Sequence, residues 1–268
     1  MNHKHLVIIP TYNEKENIRD IILAVLGLPL NYEVLIIDDG SPDGTADIVK
    51  GLQKAYPSNI HLIERQGKMG LGTAYITGFK YGLTYGYDYI YEMDADFSHN
   101  PTDLINLYKS CLEEGNDMSV GSRYIKGVNV VNWPMGRVLM SYFASVYVRL
   151  VTGMPVQDTT AGFKCYHRSV LETINPDKIH FIGYAFQIEM KFNAWKHGFK
   201  IGEVPIIFTD RSKGESKMSR GIFREAVFGV LEMKIKSLFR KYEPAYVNRS
   251  ESLELAEYAK RSSPVSAD

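Results

Sequence analysis

Two carboxylates stand two residues apart in the stretch DADFSHNP (94–101), directly after the mostly apolar run YDYIYEM (87–93). Asp94 and Asp96 would repel each other, and a hard divalent cation such as Mg²⁺ or Mn²⁺ relieves that repulsion while it bridges to phosphate oxygens. The spacing therefore suits a cation with a diphosphate. The alternative is a turn rich in helix caps, in which Asn100-Pro101-Thr102 begins the next helix.

A second acidic stretch, DDGSPDGT (38–45), follows the apolar run EVLII (33–37). Asp38 and Asp39 are placed to accept hydrogen bonds from a base and a ribose, whereas Asp43 and Gly44 suit a tight turn. A phosphatase nucleophile loop of the haloacid dehalogenase type would follow the first strand. Here the run follows the second strand and has a longer spacing between its aspartates, which disfavours a phosphatase.

The glycine-rich motifs of other nucleotide-binding folds are missing from the expected places. A dinucleotide-binding fold would have G-x-G-x-x-G after its first strand, but PTYNEKEN (10–17) contains no glycine, and no Walker-type G-K-[ST] occurs. The glycines of GKMGLG (67–72) precede a predicted helix. They predict a backbone turn close to a ligand.

The elements that must position these residues alternate along the first half of the chain. Five β-rich runs are predicted as strands: 5–10, 32–38, 60–64, 87–94 and 117–121. Between them, apolar residues recur at the single-face spacing of a helix, as in Ile18, Ile21, Ile22, Val25 and Leu26. The alternation predicts an α/β fold with a mainly parallel sheet flanked by helices. Ligands bind at the carboxyl ends of such strands, where the acidic stretches lie.

Beyond about residue 125 the pattern changes. We predict a strand-like GFKCYH (162–167), a helix over 185–198, a strand over 200–209, a basic loop over 210–221 and a helix over 222–242. Gln187 and Glu189 are predicted either to face a sugar or to lie on a solvated helix face. We interpret 1–243 as one domain with halves 1–125 and 126–243, followed by a polar tail over 244–268.

Composition excludes several classes of protein. Of the 268 residues 45% are hydrophobic, which is enough for a packed core, and 31 basic residues balance 31 acidic ones, so no net field attracts nucleic acid. The longest apolar run, 138–148, has 11 residues, fewer than a membrane-spanning helix needs. The two cysteines, Cys111 and Cys165, are predicted to be buried thiols. We expect a cytoplasmic protein, soluble or peripheral to a membrane.

Six motifs in sequence order carry a family resemblance: PTYNE, DDGSPDGT, GKMGLGTAY, DADFSHNP, GSRY and DTTAGFK. Together they resemble family 2 glycosyltransferases of the GT-A (Rossmann-like) fold, and more narrowly the dolichyl-phosphate or polyprenyl-phosphate mannosyltransferases, over about residues 5–240. The resemblance implies GDP-mannose as donor, a polyprenyl phosphate as acceptor, a divalent cation (Mg²⁺ or Mn²⁺) and a β-mannosyl phospholipid as product.

The resemblance also implies roles for single residues. The guanosine would be framed by Pro10, Tyr12, Glu14, Ile37 and Asp39. The sugar diphosphate would be held by Asp94, Ala95 and Asp96, with both carboxylates on the metal. The acceptor phosphate would meet Arg137 and Ser141, and Arg123 lies in the family's GSR element. A basic loop with Arg211 and Lys217 would close over the donor phosphates. The residues assigned to catalysis are Asp96, Arg123, Arg137 and Ser141.

Elementary chemistry is consistent with this reaction. A phosphate monoester is already ionised at neutral pH, so this nucleophile needs positioning and charge compensation rather than a general base. Arginine offers a bidentate fork to phosphate, and a single displacement inverts the anomeric carbon. Each arginine has an alternative role as a solvated surface residue. Arg137 differs from an average arginine because its segment is otherwise apolar.

A long isoprenoid acceptor requires a site that opens toward a membrane. The segments 133–155 and 222–242 mix aromatic and aliphatic residues with arginines and lysines, a composition suited to a membrane surface. Alternatively, both pack against the body of the protein. Anchoring would be peripheral or supplied by a partner protein. Two other functions remain open: a glucosyltransferase that uses UDP-glucose, and a non-catalytic nucleotide-sugar-binding module.

Overall fold

Seven strands form the central sheet of the computed structural model, which describes residues 3–183, 185–211, 222–242 and 244, with the backbone alone for 222–226. The strands are β1 (His5–Thr11), β2 (Glu33–Asp38), β3 (Ile60–Glu64), β4 (Tyr89–Glu92), β5 (Met118–Ser122), β7 (Lys164–His167) and β8 (Ile201–Pro205). Their order is β3-β2-β1-β4-β7-β5-β8. The five strands predicted in the first half are confirmed, with β4 shorter than predicted.

Most neighbouring strands are parallel, as predicted. Pro10 lies opposite Ile37 in the β1–β2 pair, and Ser122 lies opposite Pro205 in the β5–β8 pair. The exception is β7, which runs antiparallel to both β4 and β5. Because β7 is reversed, the residues that precede it reach the same edge of the sheet as the residues that follow β1, β2, β4, β5 and β8.

Helices cover both faces of the sheet. They are α1 (Ile18–Leu26), α2 (Thr45–Ala55), α3 (Leu71–Thr84), α4 (Asp103–Glu113), α5 (Met135–Thr152), α6 (Arg168–Ile174), α7 (Ala185–Lys196) and α8 (Ile222–Phe239), with a 3₁₀ turn at Pro176–Lys178. Alternate strand residues enter different cores, so Val7 packs with α1 and α4 whereas Ile8 packs with α3 and α7. Burial on both faces explains why the strands are almost wholly apolar.

Helix α3 lies unusually close to the sheet, and two glycines permit this. A Cβ atom on Gly78 would lie 2.7 Å from the side chain of Ile8, and one on Gly82 would lie 2.6 Å from that of Ile90. Any side chain at these positions would push the helix away from the strands. The close packing holds the glycine-rich segment 67–72, which leads into α3, against the sheet.

The predicted strand over 200–209 is wrong as a single element. After β8 the chain bends at Ile206, and β9 (Phe208–Thr209) leaves the main sheet to pair with β6 (Val130–Val131). The Ile206 backbone N–H donates to Ser122 O, and Ile207 is 63% exposed. The separate small sheet carries the chain back toward the carboxyl ends of the strands, where Asp210 and Arg211 follow.

Helices α5 and α8 pack together on the outside of the fold. Val148 and Val151 of α5 contact Val230 and Met233 of α8 in a third apolar cluster, and the Tyr147 hydroxyl donates to Val227 O at 2.9 Å. No helix in the described part of the chain is long and apolar enough to cross a bilayer. Of the predicted polar tail, 244–268, only residue 244 is among the described residues.

Candidate active site

The acidic and basic motifs meet at one edge of the sheet, at the carboxyl ends of its parallel strands. Residues 12–14 follow β1, 38–45 follow β2, 94–98 follow β4 and 123 follows β5. The segment 158–163 reaches the same edge because β7 is antiparallel, and residues 206–211 reach it after β8. This convergence is the ligand position expected of an open α/β sheet.

The carboxylate of Asp38 is engaged by its own loop. It accepts hydrogen bonds from the Thr11 hydroxyl at 2.8 Å and from the Ser41 backbone N–H and hydroxyl at 2.8 and 2.6 Å. Asp38 is 1% exposed. Asp38 therefore joins the loops after β1 and β2. Its carboxylate is not exposed, so it is not placed to accept hydrogen bonds from a ligand as predicted.

Asp39 pairs with an arginine that the sequence reasoning missed. The Arg65 Nε atom lies 2.6 Å from Asp39 Oδ1, and Arg65 Nη1 donates to the Thr73 hydroxyl at 2.7 Å. Arg65 directly follows β3. That position at a strand end was the signal that would have identified it. The pair links the loop after β2 to the start of α3. It places a carboxylate already paired with a guanidinium among the residues predicted to frame the nucleoside.

The other residues predicted to frame the nucleoside lie around the same loops. The Lys68 ammonium lies 4.0 Å from the centre of the Tyr12 ring, a cation–π contact. Glu14 is buried and accepts from Asn17 Nδ2 at 3.1 Å, and Pro10 is half-buried. The Ile37 side chain is fully buried in the core, so it offers no side-chain surface to a ligand.

Asp94 and Asp96 occupy a strained turn after β4. Desolvation together with the adjacent Asp96 charge raises the pKa of Asp94 above its usual range. Ala95 between them is buried. Phe97, which follows, has a φ of 60°, a left-handed conformation that costs about 1 kcal/mol or more. Backbone strain beside two mutually repelling carboxylates is typical of a functional site.

The residues of this turn fit a hard cation. Asp96 Oδ1 accepts from the Ser98 backbone N–H at 3.0 Å, and the buried Ser98 hydroxyl has no hydrogen-bond partner within the described residues. Oxygen donors are the ligands that Mg²⁺ and Mn²⁺ prefer. No group of three or more His, Cys, Asp or Glu among the described residues could hold a metal. Two carboxylates would leave the other coordination positions to water and phosphate oxygens.

Arg211 joins the first and fourth strand ends. Its Nη2 atom lies 2.8 Å from Asp96 Oδ2, and its Nη1 atom lies 3.9 Å from Glu14 Oε1. Arg211 therefore lies beside a carboxylate predicted to bind the metal, and its contact with the donor phosphates stays a prediction. Lys217, the other predicted residue of the basic loop, lies outside the described residues.

Arg123 is fixed by a buried carboxylate. Its Nε and Nη2 atoms lie 2.6 and 2.7 Å from the two oxygens of Asp158, and Nη2 also donates to the Thr160 hydroxyl at 2.8 Å. Although burial acts to raise it, the charge and hydrogen bonds of Arg123 lower the pKa of Asp158. The alternative of Arg123 as a solvated surface residue is wrong, since it is 6% exposed. Asp158 and Thr160 serve to orient this guanidinium.

The two residues predicted to meet an acceptor phosphate lie beside Arg123. The Arg137 guanidinium stacks 4.1 Å from the Trp133 ring centre, and Arg123 lies 5.5 Å from the same ring. The Tyr124 hydroxyl donates to Ser141 Oγ at 2.8 Å. Arg137 Nη1 also lies 3.1 Å from Asp210 Oδ1. Residues that follow β5, β6 and β9 thus form one continuous cluster with residues of α5.

A buried polar layer lies beneath the site. Lys164 Nζ lies 2.9 Å from Glu92 Oε1, and Gln187 Nε2 donates to Glu92 Oε2 at 2.8 Å. Glu189 accepts from the His180 and Phe181 backbone N–H groups at 3.0 and 2.8 Å. Gln187 and Glu189 are 4% and 5% exposed, so the prediction of a solvated helix face is wrong. Their side chains hold the scaffold under Asp94 and the loop before α7.

Comparison with known proteins agrees with this geometry. The family model described as "Glycosyl transferase family 2" matches residues 6–174. Polyprenol monophosphomannose synthase of Mycolicibacterium smegmatis is 45% identical over 231 residues, 86% of this chain and 87% of that protein. Undecaprenyl-phosphate mannosyltransferase of Micrococcus luteus is 43% identical over 225 residues, 84% of this chain and 91% of that protein.

Solved structures share the fold at lower sequence identity. Glucosyl-3-phosphoglycerate synthase from Mycobacterium tuberculosis, in complex with Mn²⁺, uridine diphosphate and glucosyl-3-phosphoglycerate, is 18% identical with a TM-score of 0.62, over 89% of this chain and 81% of that chain. The same protein with phosphoglyceric acid gives a TM-score of 0.64 at 18% identity, over 87% of this chain and 80% of that chain. The predicted GT-A fold and glycosyltransferase class are confirmed. The chain belongs to glycosyl transferase family 2.

Proposed function

We propose that this enzyme transfers mannose from GDP-mannose to a polyprenyl phosphate with inversion, and that it requires a divalent cation. The names of two relatives at 45% and 43% identity support a polyprenyl-phosphate mannosyltransferase. GDP-mannose as the donor rests on the motifs shared with that family. UDP-glucose in its place would keep the site and change the sugar.

The observation that carries the proposal is the contact between an acidic edge and an arginine cluster. Arg211 touches Asp96, and its neighbour Asp210 touches Arg137. A site for two phosphorylated substrates needs a cation-binding edge for the leaving diphosphate and guanidinium groups for the attacking phosphate. Both occur here within one connected set of side chains, which favours transfer over a nucleotide-binding role alone.

The cation would be held by Asp94 and Asp96, with the Ser98 hydroxyl close by. When bound, it would neutralise the charge that develops on the departing nucleoside diphosphate. Residues of the same turn hold these carboxylates in place. The Asp96 carboxylate is oriented by the Ser98 backbone N–H, and Ala95 and Phe97 fix the turn between the strand and Ser98.

Arginines would then position the acceptor. Its phosphate oxygen is ionised at neutral pH, so no side chain has to remove a proton. Asp158 and Thr160 hold Arg123 in one orientation, and Trp133 holds Arg137, so both guanidinium groups are preorganised for a phosphate. Ser141 would add a hydroxyl donor. An in-line displacement from this side inverts the anomeric carbon.

We further propose that α5 and α8 rest on a membrane surface, at its cytoplasmic face, and that this contact is peripheral or aided by an anchoring protein. The exposed apolar residues of α5 are Met135, Leu139, Met140, Tyr142, Phe143 and Leu150. Among the α8 side chains that the structure describes, those of Phe228, Leu231, Ile235, Leu238 and Phe239 are exposed. Lys234, Lys236, Arg240 and Lys241 add positive charge at the end of α8, which suits anionic lipid.

The test is transfer of radiolabel into an organic-extractable lipid. Purified enzyme is incubated with a polyprenyl phosphate and either labelled GDP-mannose or labelled UDP-glucose, with Mg²⁺ or Mn²⁺ and then with a chelator. Label from GDP-mannose that disappears on chelation is the expected result. Label only from UDP-glucose would overturn the donor, and binding of GDP without any transfer would favour a non-catalytic module.

Two arginines of α5 provide a matched pair for the acceptor assignment. Arg137→Gln should raise the KM for the lipid phosphate about tenfold or more with little change in the KM for GDP-mannose, because a charged hydrogen bond to phosphate is lost. Arg149→Gln, at the far end of the same helix, should leave both values near those of the wild type. An equal loss of donor affinity in Arg137→Gln would move Arg137 to the donor site.

A further inference from the structure

Two consecutive residues reach into the two sides of the proposed site. The Asp210 carboxylate lies 3.1 and 3.2 Å from Arg137 Nη1, and the Arg211 guanidinium lies 2.8 Å from Asp96. Each contact has the charge pattern of a substrate contact. A carboxylate on Arg137 stands where an acceptor phosphate would pair, and a guanidinium on Asp96 stands where a cation would pair.

The Arg137–Asp210 pair is open enough to exchange partners. The side chains of Arg137 and Asp210 are 33% and 30% exposed, whereas those of Arg211 and Asp96 are 24% and 8% exposed. An ion pair as exposed as that of Arg137 with Asp210 contributes little net free energy. A phosphate with two negative charges, or a divalent cation, is a stronger partner for the same group than a single carboxylate or guanidinium.

The two pairs are mechanically joined. The Arg211 backbone N–H donates to Asp210 Oδ1 at 3.1 Å, and the Asp210 backbone N–H donates to Val131 O at 3.0 Å. The Thr209 backbone N–H donates to Ser98 O at 3.2 Å, beside Asp96. Residues 209–211 are therefore tied both to the β6 strand and to the turn that carries Asp96. The two ion pairs therefore share one short backbone segment and the Arg211 N–H to Asp210 hydrogen bond.

We propose that Asp210 is a positioning residue that couples the two substrate sites. It holds Arg137, and the acceptor phosphate takes its place. Donor diphosphate with its cation displaces Arg211 from Asp96, withdraws Asp210 from Arg137 and so raises the affinity for acceptor. By linkage, acceptor binding favours donor binding by the same factor. The inference rests on the proposed function, because it takes Arg137 as the acceptor-phosphate residue.

The coupling has a direct spectroscopic reporter. The chain has two tryptophans, and Trp133 stacks on Arg137. In a Trp195→Phe background the fluorescence of Trp133 alone reports binding of farnesyl phosphate, a short soluble probe, with and without GDP and Mn²⁺. In the parent protein we expect the Kd for farnesyl phosphate to fall by about two- to fivefold when GDP and Mn²⁺ are present, the range that a partly exposed ion pair supports.

Asp210→Asn keeps the shape of the side chain and removes its charge. We expect this variant to bind farnesyl phosphate with the tighter Kd in both conditions, so that the coupling disappears. Asp210→Glu should restore part of the coupling. Asp177→Asn, which removes a carboxylate from the exposed pair with Lys80, serves as the matched control and should behave like the parent. Thermal unfolding of each variant checks that the fold is retained.

The outcomes separate the two claims. Unchanged coupling in Asp210→Asn, in an enzyme that transfers label from GDP-mannose, overturns the role of Asp210 and leaves the proposed function standing. A lower melting temperature with unchanged coupling likewise reduces the pair to a structural contact. Failure of the parent protein to transfer label and to bind farnesyl phosphate overturns the proposed function, and the inference with it.

Discussion

The carboxyl ends of the strands and the two outer helices differ in which kind of side chain they bury. At the edge, ionised groups are buried and paired, as in Arg123 with Asp158, whose side chains are 8% and 0% exposed. On α5 and α8, large apolar side chains lie in solvent, with Leu150 81% and Phe239 85% exposed. Charge is inside and hydrocarbon is outside, the reverse of the usual distribution.

The difference separates a region that pairs its arginines and carboxylates within the protein from one that exposes its apolar side chains. Buried pairs fix the orientation of arginines and carboxylates before any substrate arrives, which is the preorganisation that a phosphate site needs. Exposed apolar side chains are hydrated at a cost in free energy, and contact with another apolar surface would remove that cost. The sheet edge therefore holds charged groups in fixed orientations, whereas the two helices present apolar surface to solvent.

The largest expected effect lies in the buried layer beneath the site. Lys164→Met should lower the free energy of unfolding by about 3–5 kcal/mol, because it leaves the buried Glu92 carboxylate without its cation. Lys80→Met breaks the exposed pair with Asp177 and should cost about 1 kcal/mol or less. Urea unfolding of both variants measures the difference, and similar losses would contradict the contrast between buried and exposed pairs.

At the acidic edge, Asp96→Ala should reduce turnover with GDP-mannose by about 10²–10³-fold, because charge stabilisation of the leaving group is lost. Binding of Mn²⁺, followed by its electron paramagnetic resonance signal, should weaken in parallel. Asp103→Ala, on the first turn of α4, removes a neighbouring carboxylate outside the cleft and is the control. A near-normal rate for Asp96→Ala with added Mn²⁺ would remove Asp96 from the metal site.

At the amino ends of the parallel strands, the burial of His5 makes the free energy of unfolding depend on pH. Desolvation, with a smaller contribution from the His3 charge, lowers the pKa of His5 to about 4. Protons then bind the unfolded chain preferentially, so stability is full above about pH 6.5 and falls as the pH drops toward 4. The loss from this one group is about 3 kcal/mol.

His5→Gln should reduce the loss of unfolding free energy between pH 6.5 and 4, while it keeps a polar partner for the Tyr91 hydroxyl, 3.0 Å away. Urea unfolding at a series of pH values checks this. Equal dependence of the unfolding free energy on pH in His5→Gln and the wild type would show that His5 does not contribute to it.

On the outer helices, Leu139→Asp/Phe143→Asp should weaken sedimentation with anionic lipid vesicles by about tenfold or more, because two exposed apolar side chains leave the contact surface. Transfer to a short soluble acceptor should be largely kept. The control is Tyr56→Asp/Tyr85→Asp, which replaces exposed aromatic residues that directly follow α2 and α3. Equal vesicle binding by all variants would contradict the membrane proposal for α5.

The sequence determined the order of strands and helices in the first half. Apolar runs of the length of a strand and apolar residues at helical spacing are local signals, and β1 to β5, α1 and α4 appear where they predict them. The six motifs also indicated the family, because all six occur in one order at a suitable spacing. The division of the domain at about residue 125 stays a prediction.

Tertiary structure alone decided which charged groups meet. The distance from Arg123 to Asp158 is 35 residues in sequence, and only the reversed direction of β7 brings them together. Asp39 with Arg65 and Arg137 with Asp210 depend in the same way on where separate strands end. Periodicity fixes which side of an element is buried, whereas pairing between distant residues follows from sheet order and strand direction, which no local pattern encodes.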